Sequence, residues 1–386
     1  MDDNGDLKRD GSAVRDHLTS QSVKRHCILD RRVKMKERKK IIVPNARNRQ
    51  PQTRSSGCLY TKMEREREEL MNVVRRPLSP DTQVEVPVSR EVYEEVQDVL
   101  ESDDAKYPRL WYDSARSVAI IVAPPSDLHC AMASELASRI RDEVMRIQRL
   151  DATMTAGLST RSERSSTMPT RHGLTTRAWD TALLYTEGNR RTIMIAVEVG
   201  VSQSYRSLRA AISFWVDEFG CGLGLAMSIH EGPRRNERPQ TQNYVSIEEA
   251  EVALSELEDE LVNQQAHFPY GPLVINGVTW FGQVRKVVLE TYRAPGDDIP
   301  REAPLEPTNS FTIVSEGEFV GDSVTPNLRE VVLRDCIPDH IIGIHGIEAM
   351  PVNFFRREWF EREFGNGMIE NAVNRIRRHV RIGHAA

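Results

Sequence analysis

The chain has 386 residues, which at roughly 150 residues per domain means one large domain or two smaller ones, with ample length to bury a core. Its 52 basic and 57 acidic residues leave a formal net charge of minus 5, which argues against a uniformly basic nucleic-acid binder. No run of eighteen apolar residues offers a membrane span.

The average conceals a split. Residues 1 to 80 hold 20 Lys and Arg against 11 Asp and Glu, so the acidic excess lies wholly in the remainder. The opening Met1-Asp2-Asp3-Asn4-Gly5-Asp6 lacks the apolar core of a secretory signal, so an intracellular location is expected. Cys27, Cys58, Cys130, Cys221 and Cys336 are never closer than 31 positions, and with no CxxC pair or Cys/His cluster they are expected to be free thiols rather than zinc ligands.

Residues 1 to 85 are rich in Arg, Lys, Asp, Ser and Gln and poor in aromatics, the composition of a basic, mostly disordered arm. Within it, Arg31 to Lys40 carries seven basic residues and one acid, suited to a nuclear-import address or to contact with nucleic-acid phosphates. Lys62 to Val74 reads as a short exposed helix. Order is expected to begin near Val84, with a helix capped by Ser89 and striped by Val92, Val96 and Leu100.

Two strands follow, Leu110 to Tyr112 and Val118 to Ala123, joined by a turn at Asp113-Ser114-Ala115-Arg116. Ser126 or Asp127 then caps a helix whose apolar positions Leu128, Met132, Leu136, Ile140, Val144 and Ile147 recur at fours and threes. The Ser, Thr and Arg stretch from 153 to 178 reads as one short strand and a long loop.

Strands at Thr181 to Tyr185 and Thr192 to Val201 flank the turn Glu187-Gly188-Asn189-Arg190. In the second, Ile193, Ile195, Val197 and Val199 fall on one face and Met194, Ala196 and Glu198 on the other, the pattern of a central strand covered on both sides. A helix from Ser204 to Phe219, a strand from Leu223 to Ile229, and an acidic helix from Ile247 to Gln264 follow, the last opened by a Ser246/Glu249 capping box and offering a surface for a protein partner. Leu273 to Val278 and Lys286 to Tyr292 are expected to extend the sheet. The proline-rich stretch 294 to 310 reads as a linker, and 311 to 386 as a small C-terminal extension ending in a helix from Met368 to Val380. The sum is an α/β fold with a core at 86 to 293.

Glu198 is the residue that calls for chemistry, because a carboxylate inside an apolar strand needs a basic or metal partner or a large pKa shift. A turn centred at Gly188-Asn189 brings Asp180 opposite position 197, or opposite 198 with a one-residue shift. Two adjacent carboxylates suit a hard divalent cation such as Mg2+, which can hold a phosphodiester and activate water.

Asp180 followed by Ile195-Ala196-Val197-Glu198-Val199-Gly200-Val201-Ser202-Gln203-Ser204-Tyr205-Arg206-Ser207-Leu208-Arg209 resembles the core of the PD-(D/E)XK restriction-endonuclease-like superfamily, nearest to the Uma-type endonucleases and related uncharacterised fungal proteins. The hairpin and helix from Tyr112 to His129 also resemble the entry to the Uma-type domain. The likeness spans roughly residues 90 to 292. It implies a mixed central sheet flanked by helices and a metal-dependent nuclease acting on nucleic acid, with Asp180 and Glu198 as metal ligands.

The lysine that the superfamily carries two residues after the Glu is Gly200 here. Arg206 and Arg209, in the following helix, stand in for part of its role, since arginine neutralises phosphate but gives up no proton. Gln203 would orient the turn or a bound water. Glu135 is the nearest counterpart of an additional early acid, and His129 is a further polar candidate at a helix start. The alternative is a non-catalytic binding protein that keeps the fold without the lysine.

Overall fold

The computed structural model describes residues 56–102, 108–170, 173–201, 205–234, 241–294, 305–321, 330–343 and 346–382. The basic run 31 to 40 and Gln203 lie outside the described residues.

Helix α1 (Ser56–Val74) precedes strand β1 (Gln83–Pro87) and helix α2 (Arg90–Ser102). The expected onset near Val84 therefore moves back to α1. That helix is not simply exposed: Leu70 and Val74 are buried with Val92, Tyr93 and Val96 of α2, and half-buried Glu66, one turn earlier on the same face, accepts the amide of Ser89 at 3.1 Å. Strands β2 (Arg109–Asp113) and β3 (Val118–Val122) form the anticipated hairpin. Ser126 caps helix α3 (Asp127–Met145), its Oγ accepting the His129 amide at 3.3 Å. A single turn, α4 (Ala152–Thr155), follows.

The stretch read as mostly loop is a long hairpin of β4 (Leu158–Thr170) and β5 (Gly173–Glu187), paired from Leu158↔Tyr185 to Thr170↔Gly173. Small β-branched polar residues gave little hydrophobic alternation, yet threonine suits a pleated surface and pairs across strands, as Thr167 and Thr176 do at 2.9 Å between hydroxyls.

Strand β6 (Arg190–Val201) pairs antiparallel with β5 and parallel with β7 (Leu223–Glu231), the crossover being helix α5 (Tyr205–Ser213) and a π turn at Phe214–Glu218. An irregularity between Leu183↔Ile195 and Leu184↔Ile193 alters the expected faces of β6. Ile195, Val197 and Val199 pack with Met194 toward α3, while Ile193 and Ala196 pack toward α5.

After β8 (Gln242–Tyr244) comes helix α6 (Ile247–His267). Ser246 Oγ accepts the Glu249 amide, but the Glu249 carboxylate reaches the amide of Val245 instead of that of Ser246. Strands β9 (Leu273–Ile275) and β10 (Val278–Phe281) form a separate two-stranded hairpin and do not extend the main sheet. The cause is Asn276-Gly277, both at positive φ, which turns the chain back within two residues. Strand β11 (Val284–Tyr292) does extend the sheet, followed by β12 (Asn309–Ser315) and β13 (Glu318–Phe319).

The main sheet is ten-stranded and mixed, in the order β1-β3-β2-β5-β6-β7-β11-β12-β13, with β4 on β5. Beyond the short helix α7 (Asp339–Ile342), helix α8 (Arg357–Arg377) packs on α3 in the same core as the sheet, and β14 (Val380–Ile382) pairs with β8. Helix α8 starts eleven residues before the expected Met368 because Gly365 and Gly367 masked its pattern. Gly367 is required there: a Cβ would stand 2.8 Å from Leu128 Cα. Residues 54 to 386 thus form one unit, its sheet covered by α3 and α8 on one face and by α5 on the other. Among the described residues, no helix is long and apolar enough to cross a membrane.

Candidate acid cluster and the adjoining cleft

The last paired residues of β5 and β6 are Thr181 and Val197, so one step further Asp180 faces Glu198. Here the backbone ladder gives way to a side chain: Asp180 Oδ2 accepts the amide of Val199 at 2.7 Å. Beyond this point β5 turns to β2, pairing Thr176 with Tyr112. A small cavity opens where the two strands part, lined by Asp180, Glu198, His129, Asp81, Trp111 and Trp179.

Glu198 is 4% exposed, and Oε1 accepts the indole N–H of Trp215 at 2.5 Å. Burial, and then the charge of Asp180, push its carboxyl well above the usual carboxylate range against the opposing pull of Arg177 and of the Trp215 bond. The π turn after α5 carries Trp215, with the Phe214, Phe219 and Trp179 rings against its edges and faces. Such a turn shifts side chains off helical register, frequently beside functional groups.

His129, on the first turn of α3, stands between two acids. Its Nε2 is 3.0 Å from Asp180 Oδ2, and its Nδ1 is 3.2 Å from Asp81 Oδ1 without hydrogen-bond alignment. Burial pulls its pKa down, but Asp180 and Asp81 together outweigh that and hold it well above the ordinary histidine value. Asp81 sits at φ 60° and also receives the amide of Ser126 at 2.8 Å, so it ties the turn before β1 to the start of α3.

The sequence candidates separate. Asp180, Glu198 and His129 come together. Arg206 is exposed and lines a larger cleft that shares Asp81, Gln83 and Pro125 with the acid cavity. Arg209 does not face the acids; its guanidinium donates to Leu305 O at 2.7 Å and pairs with Glu306. Glu135 pairs with Arg139 one turn along α3 and lines neither opening, because its position on the helix points it away from the strand ends.

Two residues were missed. Asp81 lay in the segment read as a disordered arm, although Ser79-Pro80-Asp81 is a turn sequence that places an Asp where positive φ is tolerated. Arg177 lay in the stretch read as loop. It is 7% exposed, donates to Ala210 O at 2.9 Å, and lies 5.7 to 5.9 Å from the Phe214 and Trp111 ring centres.

Asp180 Oδ1 and Glu198 Oε2 have no hydrogen-bond partner among the described residues, and neither is a sealed, unsatisfied atom. Two carboxylate oxygens left open beside one cavity, in acids whose like charges oppose each other, fit a single hard cation. No group of three or more His, Cys, Asp and Glu arranged for a metal occurs among the described residues, so any such ion would draw its remaining ligands from water or substrate. No family model matches the chain, and no curated protein matches it.

Proposed function

We propose that this chain is a metal-dependent phosphodiester hydrolase of nucleic acid, or a descendant of one, on a restriction-endonuclease-like scaffold. The observation that carries the reading is the meeting of Asp180 and Glu198 at the point where β5 leaves β6, each with one oxygen open to the cavity.

In this reading Asp180 and Glu198 hold Mg2+, which when bound supplies charge for the phosphate and lowers the pKa of water. The protein groups do the rest. Val199 N–H and His129 fix Asp180 by one oxygen, leaving the other for the cavity. Trp215 holds Glu198 in the same manner. Arg177, buried near Glu198, offsets part of the negative charge that Gly200 leaves without a lysine. Arg206 meets phosphate at the mouth.

Binding without cleavage is the second reading, favoured by a specific feature: His129 already supplies a cation between Asp81 and Asp180. The test is incubation of the full chain with single- and double-stranded DNA and RNA in magnesium or manganese, beside Glu198→Ala. Cleavage above that variant is expected; equal, background rates on every substrate would leave only the binding reading.

A further inference from the structure

The cleft beside the acid cavity encloses about 1110 Å³ and is walled on one side by α8. Asn371, Asn374, Arg375 and Arg378 line it at spacings of three, one and three, one stripe of that helix, with Arg377 beside them. Phe360, Phe364 and Met368, earlier on the same face, are buried, so it is the last two turns of α8 and its C-cap Arg378 that reach the cleft. Facing α8 are Arg206 of α5 and Arg234 beyond β7. All of the α8 residues lie outside the part of the chain that resembles nucleases.

These groups differ in what already occupies them. Arg375 is spent on structure, with a two-pronged pair to Glu231 at 2.7 and 2.8 Å and a bond to Trp280 O. Arg206 and Arg378 are exposed with no carboxylate partner among the described residues, and exposed Arg377 donates only to Asn374 Oδ1. Among the described residues that line this cleft, two buried donors have no acceptor, Asn371 Nδ2 (residue 4% exposed) and Arg177 Nε (7%). Leaving a buried donor unmade costs on the order of 1–3 kcal/mol, so each is a place where an acceptor would be gained. The N-terminal end of the 19-residue helix α3 opens on the same space through Ser126 and Asp127, but the Asp127 carboxylate, which accepts from Asn374 Nδ2 at 2.6 Å, offsets its positive dipole.

We propose that this cleft is a phosphate-binding track for the backbone of a nucleic-acid strand, with α8 supplying one wall through Asn371, Arg377 and Arg378. The proposal deepens the hydrolase reading by assigning where the strand lies. Guanidinium forks and amide N–H groups match phosphate oxygens, and a row of them at helical spacing matches a repeating anion better than a single one. The shared rim at Asp81, Gln83 and Pro125 carries a strand from this track past the acid pair.

The test is fluorescence anisotropy of a labelled single strand of about 20 nucleotides with the full chain in EDTA, over a range of salt. Wild type should bind, with affinity falling as salt rises. Arg377→Ala/Arg378→Ala, both on the surface, should bind about tenfold more weakly and with a salt slope shallower by about two. Arg362→Ala, elsewhere on α8 and paired with Glu363, should match wild type. No binding by wild type, a double variant within about twofold of it, an equal loss in Arg362→Ala, or displacement of the strand by polyglutamate at equal charge would each overturn the proposal. Binding without cleavage in magnesium would overturn the hydrolase reading and leave this one standing.

Discussion

Trp215 donates its indole N–H to Glu198 Oε1 from a π turn that follows α5, so the one carboxylate buried in β6 is satisfied from the opposite side of the sheet to α3. Trp215→Phe removes that donor while keeping the ring. The expected loss is about 1–3 kcal/mol in urea unfolding, because a buried acceptor is left unmade. The bond favours the ionised acid, so its removal pushes the Glu198 carboxyl further up. The loss should grow as pH rises through the raised folded-state value of the wild type toward the still higher value of the variant.

His129 gives a pH dependence of its own. Its folded-state pKa is raised well above 6.5, so the stability it contributes is fully present below about pH 6.5 and is lost as pH rises through the folded value. Compared in EDTA, wild type should exceed His129→Gln by about 3 kcal/mol at pH 6, since the substitution leaves Asp81 and Asp180 without their shared cation. The gap should narrow at pH 9. Thermal unfolding of both proteins at the two pH values reads this directly, and a gap that widens with pH would contradict it.

Leu70→Ala tests whether α1 belongs to the core. Leu70 is fully buried, and a leucine lost from such a site costs about 2–5 kcal/mol. A change below about 0.5 kcal/mol in chemical denaturation would mean that the helix is dispensable.

Arg206 and Arg209 lie three residues apart but should behave differently. Arg206→Ala should weaken nucleic-acid affinity and lower the salt slope by about one, as for a single phosphate contact. Arg209→Ala should leave affinity unchanged while lowering the melting temperature, since its bonds run to Leu305 and Glu306. Equal losses of affinity would refute the distinction.

Much of the sheet was legible because its strands obey the hydrophobic period: the Val118 strand, the Thr192 to Val201 strand and the stripe of α3 stand where the sequence puts them. The meeting of Asp180 with Glu198 was legible only in part: the two-residue turn at Gly188-Asn189 alone sets Asp180 opposite Val197, and the irregularity between Leu183 and Leu184 moves it to Glu198. What escaped lacks such a period. The β4 strand is built of Ser and Thr, whose pairing is by hydroxyls and backbone. Asp81 and Arg177 reach the site through a turn and a bent strand, and no local pattern announces a contact of that span. Arg209 illustrates the reverse: helical spacing gives its face, but not that Leu305 and Glu306 pack there.

The contact of α3 with α8, made close by Gly367 against Leu128, has a consequence for synthesis. Asp127 meets Asn371 and Asn374 across 244 and 247 positions of sequence. On the ribosome, α3 and the strands through β7 emerge long before their partner helix, so the acid pair can assemble while the cleft wall is still unmade. A message that stops before codon 357 yields a chain with Asp180 and Glu198 but without that wall, the part of α3 that meets α8 left bare for chaperones and proteases to find.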